Sequence, residues 1–415
     1  MKLTPFVFAA FVPLTVACDS DSGEATPAGY DHVIAPSDDD FEAIQTVLTE
    51  AKSGDVIGLK PGTYRLTREL NLTGVADITL KGMGQTRDEV VLDFADQVEG
   101  DDGITVTAGG FTIENLWVKN SPGNGVVAHA EDSTFRNIKV SWDAGSVTEN
   151  GFYAVYPTDC KRTVIENVEV TGASDAGIYV GSCEYAIVRN SKVYANVAGI
   201  EIENTKKADV YDNEVYDNSA GILALLLPNL KIKENTQILF RDNEVRANNR
   251  PNFAKAGTVV ASVPSGTGFL VLCGTDIEVR DNTITGNDST GVLVVSYPIL
   301  ELLTGTKLDD PGMDPYVKRV YVHSNTFADN GKAPKGGLRV VLNEEVTTLE
   351  DVLWDGILEE GETTAEICLG NNPPSFRNFA AMDDFDKDKQ STDTTGHTCT
   401  LSALPEMETF PAVAP

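Results

Sequence analysis

The sequence predicts an all-β fold in which one ribbon of short strands winds into about nine stacked coils. Three observations predict it. A glycine followed by alternating apolar residues recurs at GITV (103), GVVA (125), GFYAV (151), GIYV (177), GIEI (199), GILA (221), GFLV (268), GVLV (291) and GLRV (337). Between copies lies a turn bearing an asparagine: Asn115, Asn137, Asn167, Asn190, Asn213, Asn243, Asn282 and Asn325. These asparagines are 22, 30, 23, 23, 30, 39 and 43 residues apart, a base period of 22 to 23 with insertions. Period-two patterning in a unit of that length means short strands, not a helix pair. Three strands and three turns close one coil, and coils that cannot bury an inner face alone stack into a shared core. Nine coils at about 4.8 Å each make a rod roughly 43 Å long. Stacked asparagines can then bond through their amides along the pile, as amide ladders do in other stacked sheets. In later units Asp or Ser takes the first turn place and Asn the second.

The elements follow in chain order. Residues 1–17, one Lys and then an apolar run, have the layout of an export signal. Cys18 follows Ala17 directly, and this junction looks like a bacterial lipoprotein signal in which Cys18 is lipidated. Thr15 stands where that signal usually has Leu, Val or Ile, and cleavage after Ala17 without lipidation is the alternative. Residues 18–30 read as a flexible tether. Residues 31–100 form an N-terminal cap and the first coils: DDFEAIQTVLTEAK is a helix suited to covering an open end, followed by turns and a strand. Residues 101–342 hold the repeats. Residues 343–415 lose the period and read as a C-terminal cap and acidic tail.

Charge and composition narrow the functions. Asp plus Glu number 63 against 32 Lys plus Arg, a net charge of −31. Phosphate is repelled by such a surface, so nucleic acid is excluded as a partner. Beyond the signal no apolar run approaches the roughly 20 residues of a spanning helix, so the membrane is met only through a lipid anchor. At 41% hydrophobic the chain can bury a large core. The compartment expected is extracytoplasmic, in the cell envelope, where disulfides persist. Cys160 and Cys183 lie ten residues before the aligned Val170 and Val193, one rung apart on the same edge, so they are expected to bond. Cys368 with Cys399 would staple the tail, leaving Cys273 reduced.

The insertions locate a functional face. They fall on both sides of the Gly-strand and never in the Asn turn, so loops rise along both edges of one sheet and make a groove over it. Residues two and four after each glycine face outward. From 221 to 293 that outer face is apolar, and the insertions LLLPNLKIKENTQ and SYPILELLTGTKLDDPGMDPY are expected to cover it. The middle coils instead present Tyr153, Tyr179, Glu201 and Glu203, with Tyr156 and Asp175 at the strand ends. Tyrosine faces suit stacking on sugar rings, and carboxylates on neighbouring coils suit acid–base work or Ca²⁺ binding. Asp175, Glu201 and Glu203 are therefore the catalytic candidates. His129, the three tyrosines and the nearby Lys206 and Lys207 are the substrate-binding candidates. A plain solvated surface is the competing reading of the same residues.

The repeat region, roughly residues 38–342, resembles the right-handed parallel β-helix proteins, which include pectate lyases, polygalacturonases and other polysaccharide-processing enzymes. GASDAGIYVGS (172–182), NVAGIEIEN (196–204) and SYPI (296–299) resemble a set of exported bacterial β-helix repeat proteins, a resemblance that implies no particular reaction. The known catalytic sets are absent: after GDDG (100–103) comes Gly123-Asn124-Gly125 where a polygalacturonase-like site needs Gly-His-Gly, and no Arg faces out of the middle coils. Asp384, Asp386 and Asp388 begin like a Ca²⁺ loop, but Lys389 and Thr395 stand where Gly and Glu are needed. The expectation is a monomeric polysaccharide-binding protein, with a hydrolase, lyase or epimerase as first alternative. The second is a structural protein whose groove docks its own tail or a co-exported partner.

Overall fold

The computed structural model describes residues 27–305, 307–342 and 347–410. The expected signal segment and Cys18 lie outside the described residues.

Three parallel sheets form the faces of a stacked coil, with 12, 11 and 10 strands among the described residues. Every pairing along the stack is parallel, and consecutive strands of one coil go to three different sheets. The repeat sets the register directly: Val140, Val170, Val193, Val215, Val245 and Ile284 pair in one inward column. We call the twelve-stranded face sheet 1, the eleven-stranded face that carries the glycine strands sheet 2, and the ten-stranded face sheet 3. Strands run from His32–Ile34 to Phe376–Asn378, so the stack extends past nine coils.

The helix Asp40–Glu50 lies at the beginning, where Asp39 accepts the Glu42 N–H at 3.1 Å and caps it. Phe41, Ile44 and Leu48 bury their side chains in the main core.

The glycines that open the strands of sheet 2 are required by close packing. A Cβ on Gly199 would lie 2.4 Å from Val215 Cγ1 and 2.7 Å from the Gly221 carbonyl, and Gly221 is crowded in the same way by Gly268. One expected copy fails. GLRV at 337 lies in the helix Gly337–Leu342, and the next strand of sheet 2 is Val352–Trp354, paired with Val292–Val294. The outward positions given to Arg339 and Val341 therefore do not exist; Leu353 occupies the column after Leu293. A glycine followed by apolar residues suits a short helix as well as a strand, and only the pairing decides.

The asparagine ladder is present and is double. Asn137 and Asn167 each donate from Nδ2 to the previous asparagine Oδ1, at 2.8 and 2.9 Å. In later coils Asp212, Asp242 and Asp281 take the left-handed turn position, and the ladder moves one residue on to buried Asn213, Asn243 and Asn282, each bonded at 2.9 Å to the next. A second ladder lies at the turn before each glycine strand: Asn196, Asn218, Asn248, Asn287 and Asn330, linked at 3.0 to 3.1 Å. The pattern NVAG, NSAG and NDSTG carries that signal in the sequence.

Cys160 and Cys183 are bonded, Cα atoms 4.5 Å apart, and Cys368 is bonded to Cys399; Cys273 is free and buried. From Cys399 the tail crosses the outer face of sheet 1. Leu404 N–H donates to Glu278 at 2.6 Å, Met407 N–H to Asp209 at 2.7 Å, and Glu406 pairs with Arg280 at 2.5 Å. The tail thus docks on a different face from the glycine-strand groove.

Candidate functional site

Sheet 2 brings the expected carboxyls together. Its pairing sets Tyr156 level with Val127, Tyr179 level with Glu201, and Gly181 level with Glu203. Tyr153, expected in the Tyr179 column, instead pairs with Ala176, because Gly151 packs against Gly123 and Ala154 takes the crowded glycine place. Tyr156 belongs in the Tyr179 column. All three rings still meet, with centroids 4.5 to 4.9 Å apart.

Tyr179 leans across Gly181 and donates from its hydroxyl to Glu203 Oε1 at 2.8 Å. A Cβ on residue 181 would lie 2.2 Å from Tyr179 Cε1, so glycine there is what allows the lean. The carboxyls lie deep: Asp175 is 4% exposed, Glu201 2% and Glu203 5%. Asp175 Oδ1 and Glu201 Oε2 are buried with no hydrogen-bond partner.

Burial and mutual repulsion hold this cluster partly protonated. Desolvation, then Glu203's charge, pushes Asp175 up to about 8. Desolvation, then Asp175 and Glu203, raise Glu201 well above the usual carboxylate range. Glu203 is raised by burial, against which hydrogen bonds from Glu201 and Tyr179 favour its anion. Glu203 is thus the natural site of the negative charge, with Glu201 and Asp175 keeping protons. Such a set can give a proton from one carboxyl and take one at another. Burial foremost, then the carboxyls, raises both Tyr153 and Tyr179, so the phenols stay neutral donors.

The cluster is roofed. Insertion 247–266 crosses back over it: Thr148 Oγ1 donates to the Phe253 carbonyl at 2.8 Å, and Lys255 Nζ stands 5.6 Å from the Phe152 ring. Phe253 and Ala254 pack into the same apolar cluster as the three tyrosines. The groove expected to be open is therefore closed over Glu201 and half-open at Tyr153 and Tyr156.

The other candidates are placed elsewhere. Lys206 and Lys207 open the strand Lys206–Tyr211 of sheet 1, where Lys206 pairs with Glu234 at 3.0 Å and Lys207 donates to the Tyr185 hydroxyl at 3.1 Å. A turn separates them from Glu203, and the coil carries them to another face. His129 is exposed at the end of its strand, on the open side of the tyrosines. Among the described residues no group of three or more His, Cys, Asp and Glu can hold a metal ion, and Asp384, Asp386 and Asp388 lie in such an ungrouped stretch.

A further carboxyl lies at the Tyr156 end of this face. Asp102 accepts both the Asn124 N–H, at 2.8 Å, and its Nδ2, at 2.9 Å. Burial first, then the charges of Glu69 and Asp101, raises its pKa against the pull of the Asn124 bonds. Its signal was the 22-residue step from Asp102 to Asn124, one coil period.

A family profile described as "right handed beta helix region" matches residues 102–236 and 146–302, within the repeats. With the three parallel sheets, this makes the chain a right-handed parallel β-helix protein. Among solved structures it is similar to the A-module of the mannuronan C-5 epimerase AlgE4 of Azotobacter vinelandii, with 16% identity over 78% of this chain and 91% of that one, TM-score 0.52. It also matches the AlgE6 A-module of the same organism (15% identity, 82% and 88% covered, TM-score 0.48). A third match is the DFA-IIIase of Arthrobacter chlorophenolicus A6 (11% identity, 80% and 90% covered, TM-score 0.46). At 16% identity the likeness to the AlgE4 module concerns the fold alone. No curated protein sequence matches the chain.

Proposed function

We propose that this is an exported β-helix protein that binds a polysaccharide over sheet 2, with Tyr153, Tyr156 and Tyr179 as ring platform and Asp175, Glu201 and Glu203 as polar floor. The observation that carries the reading is the pair of unpartnered buried oxygens on Asp175 and Glu201. Leaving a buried acceptor unmatched costs about 1–3 kcal/mol, an expense native folds avoid unless the site serves something else. Tyrosines beside it supply stacking area. The two disulfides support an oxidising, extracytoplasmic compartment, and Cys18 lipidation would tether the chain there. Among the described residues no helix is long and apolar enough to cross a membrane.

One arrangement favours a carbohydrate-active enzyme as second reading: burial and Glu203's charge push Asp175 up to about 8, while at Glu203 hydrogen bonds from Glu201 and Tyr179 oppose the rise that burial causes, so the two carboxyls are set apart as acid and base. In either reading insertion 247–266 must lift for a sugar to reach Glu201.

A glycan array followed by product analysis separates the readings. Binding without cleavage, retained in Glu201→Gln, eliminates the enzyme. Cleavage or epimerisation lost in Glu201→Gln and in Asp175→Asn establishes it. No binding by any array member removes both and leaves a structural role.

A further inference from the structure

The charge of the groove narrows its ligand, on the reading that sheet 2 binds a polysaccharide. Seven acidic residues, Glu69, Asp101, Asp102, Asp159, Asp175, Glu201 and Glu203, lie along the strands of sheet 2 and in the turns that border them. Glu69 accepts the N–H groups of Asp101 and Asp102, at 3.1 and 3.3 Å. Asp102 and Asp159 lie close enough to Tyr156 to act on its hydroxyl together with Glu203. Asp175, Glu201 and Glu203 close the series under Tyr153 and Tyr179.

The cations nearby are engaged. Arg68 pairs with Glu42 at 3.0 Å and stacks on Phe41, Lys231 stands 3.7 Å from Asp159, and Lys206 is held by Glu234. Lys255 lies over Phe152 rather than over a carboxyl, and His129 is exposed beyond the tyrosines. A uronate polymer entering here would bring negative charge beside buried Glu203, where Coulomb repulsion is least screened, and beside the more open Glu69, Asp101, Asp102 and Asp159. A bare metal ion is not a fit either, since no three of these carboxyls converge on metal-binding geometry among the described residues. Two buried carboxyl oxygens without partners, Asp175 Oδ1 and Glu201 Oε2, suit a donor whose positive charge would displace the protons these acids hold.

We infer that the ligand is a polysaccharide with free amino groups, a hexosamine polymer, whose ammonium groups meet the Asp175–Glu201–Glu203 cluster and the Asp102 end of the same face. An ammonium beside these carboxyls favours their ionised forms, so binding near neutral pH releases protons.

The test is calorimetric titration of the full chain with three hexasaccharides: glucosamine, its N-acetylated form and a uronate. Sodium chloride at about 0.5 M shortens the Debye length to roughly 4 Å and suppresses attraction to the general acidic surface. The glucosamine oligomer is expected to bind about tenfold or more tighter than the other two, since a desolvated charge pair exceeds a neutral hydrogen bond by at least that factor. Repeating the titration in buffers of different ionisation enthalpy should reveal proton release. The double variant Asp175→Asn/Glu201→Gln should lose both the preference and the proton release. Asp102→Asn, near the half-open end and sparing the buried cluster, should weaken binding alone. Glu50→Gln/Glu360→Gln, which removes two exposed acids elsewhere, should change neither. Equal or tighter binding of the N-acetylated or uronate oligomer overturns the ammonium assignment while leaving glycan binding standing. Equal losses in the Glu50/Glu360 variant also overturn it. Failure of all three oligomers overturns the glycan reading itself.

Discussion

Between Tyr156 and Glu203 the outer columns of sheet 2 carry tyrosines and carboxyls; between Leu223 and Val295 the same columns carry Leu223, Leu225, Leu270, Leu272, Leu293 and Val295. Both stretches lie beneath an insertion, the first half-open at Tyr156, and they pack into one continuous cluster. Of the two insertions expected over the aliphatic stretch, the one beginning at Ser296 places Tyr297, Ile299 and Met313 against it, and LLLPNLKIKENTQ adds Leu226 and Leu227; Val260 and Val263 of 247–266, which were not expected, join them. It even buries a carboxyl, Asp355, which desolvation pushes up to about 7. Yet Asp355 accepts the Ser296 and Ile357 N–H groups at 2.6 and 3.0 Å. Asp175 and Glu201, equally buried, leave oxygens unmatched. Burial alone therefore does not mark a site. Gln97, Thr105 and Trp354 each leave one such atom elsewhere, but Asp175 and Glu201 leave theirs side by side on neighbouring coils, and that pairing marks the site.

The contrast breaks first if the aliphatic stretch is not a structural core. Leu223→Ala should destabilise by about 2–5 kcal/mol, the usual range for truncating a fully buried leucine. Glu201→Gln should be neutral or stabilising at pH 7, because it removes a buried acid whose ionisation the fold resists. Urea denaturation reads both, and a larger loss in Glu201→Gln would make the carboxyl stretch the structural one.

The pH profile sharpens the same point. Asp175, Glu201 and Glu203 are all raised above their unfolded values. The folded state therefore holds protons that the unfolded chain has released between about pH 4 and pH 8. Stability should be highest below pH 4 as far as these groups decide it, and fall as pH rises towards 8, by up to about 1.4 kcal/mol per unit for each retained proton. Asp175→Asn/Glu201→Gln should flatten most of that slope, leaving the part due to Asp355. An unchanged slope would show that the cluster does not hold its protons.

Gly181→Ala should cost about 1–3 kcal/mol, the range for inserting a methyl into a packed site, and turn the Tyr179 ring off Glu203. A Tyr179→Phe background checks the mechanism, since the two changes should then add to less than their sum. Full additivity would mean that Gly181 does not serve the tyrosine.

The smallest effect is expected on the opposite face. Glu406 is half-exposed, and Glu406→Ala should change global stability by about 1 kcal/mol or less while loosening 404–408, as read by hydrogen exchange.

The winding was legible because identical residues must meet identical neighbours one coil away. Gly199 under Gly221, Val193 under Val215 and Cys160 under Cys183 each repeat a local requirement, and spacing alone reveals it. The convergence of Asp175, Glu201 and Glu203 was legible for the same reason. Four things were not. Glycine plus alternation did not separate the Gly337–Leu342 helix from a strand. The register slip that moved Tyr153 came from a close approach of Gly151 to Gly123. The roof formed by 247–266 depends on the contact of Thr148 with the backbone of Phe253, 105 residues away. The tail's choice of sheet 1 rests on Asp209 and Glu278, two coils apart on a face that the repeat does not mark. A repeat encodes contacts between successive coils, whose separation is constant along the chain. Insertions and the tail fold back across many coils at separations that no period records, so tertiary packing alone decided which part of sheet 2 lies covered.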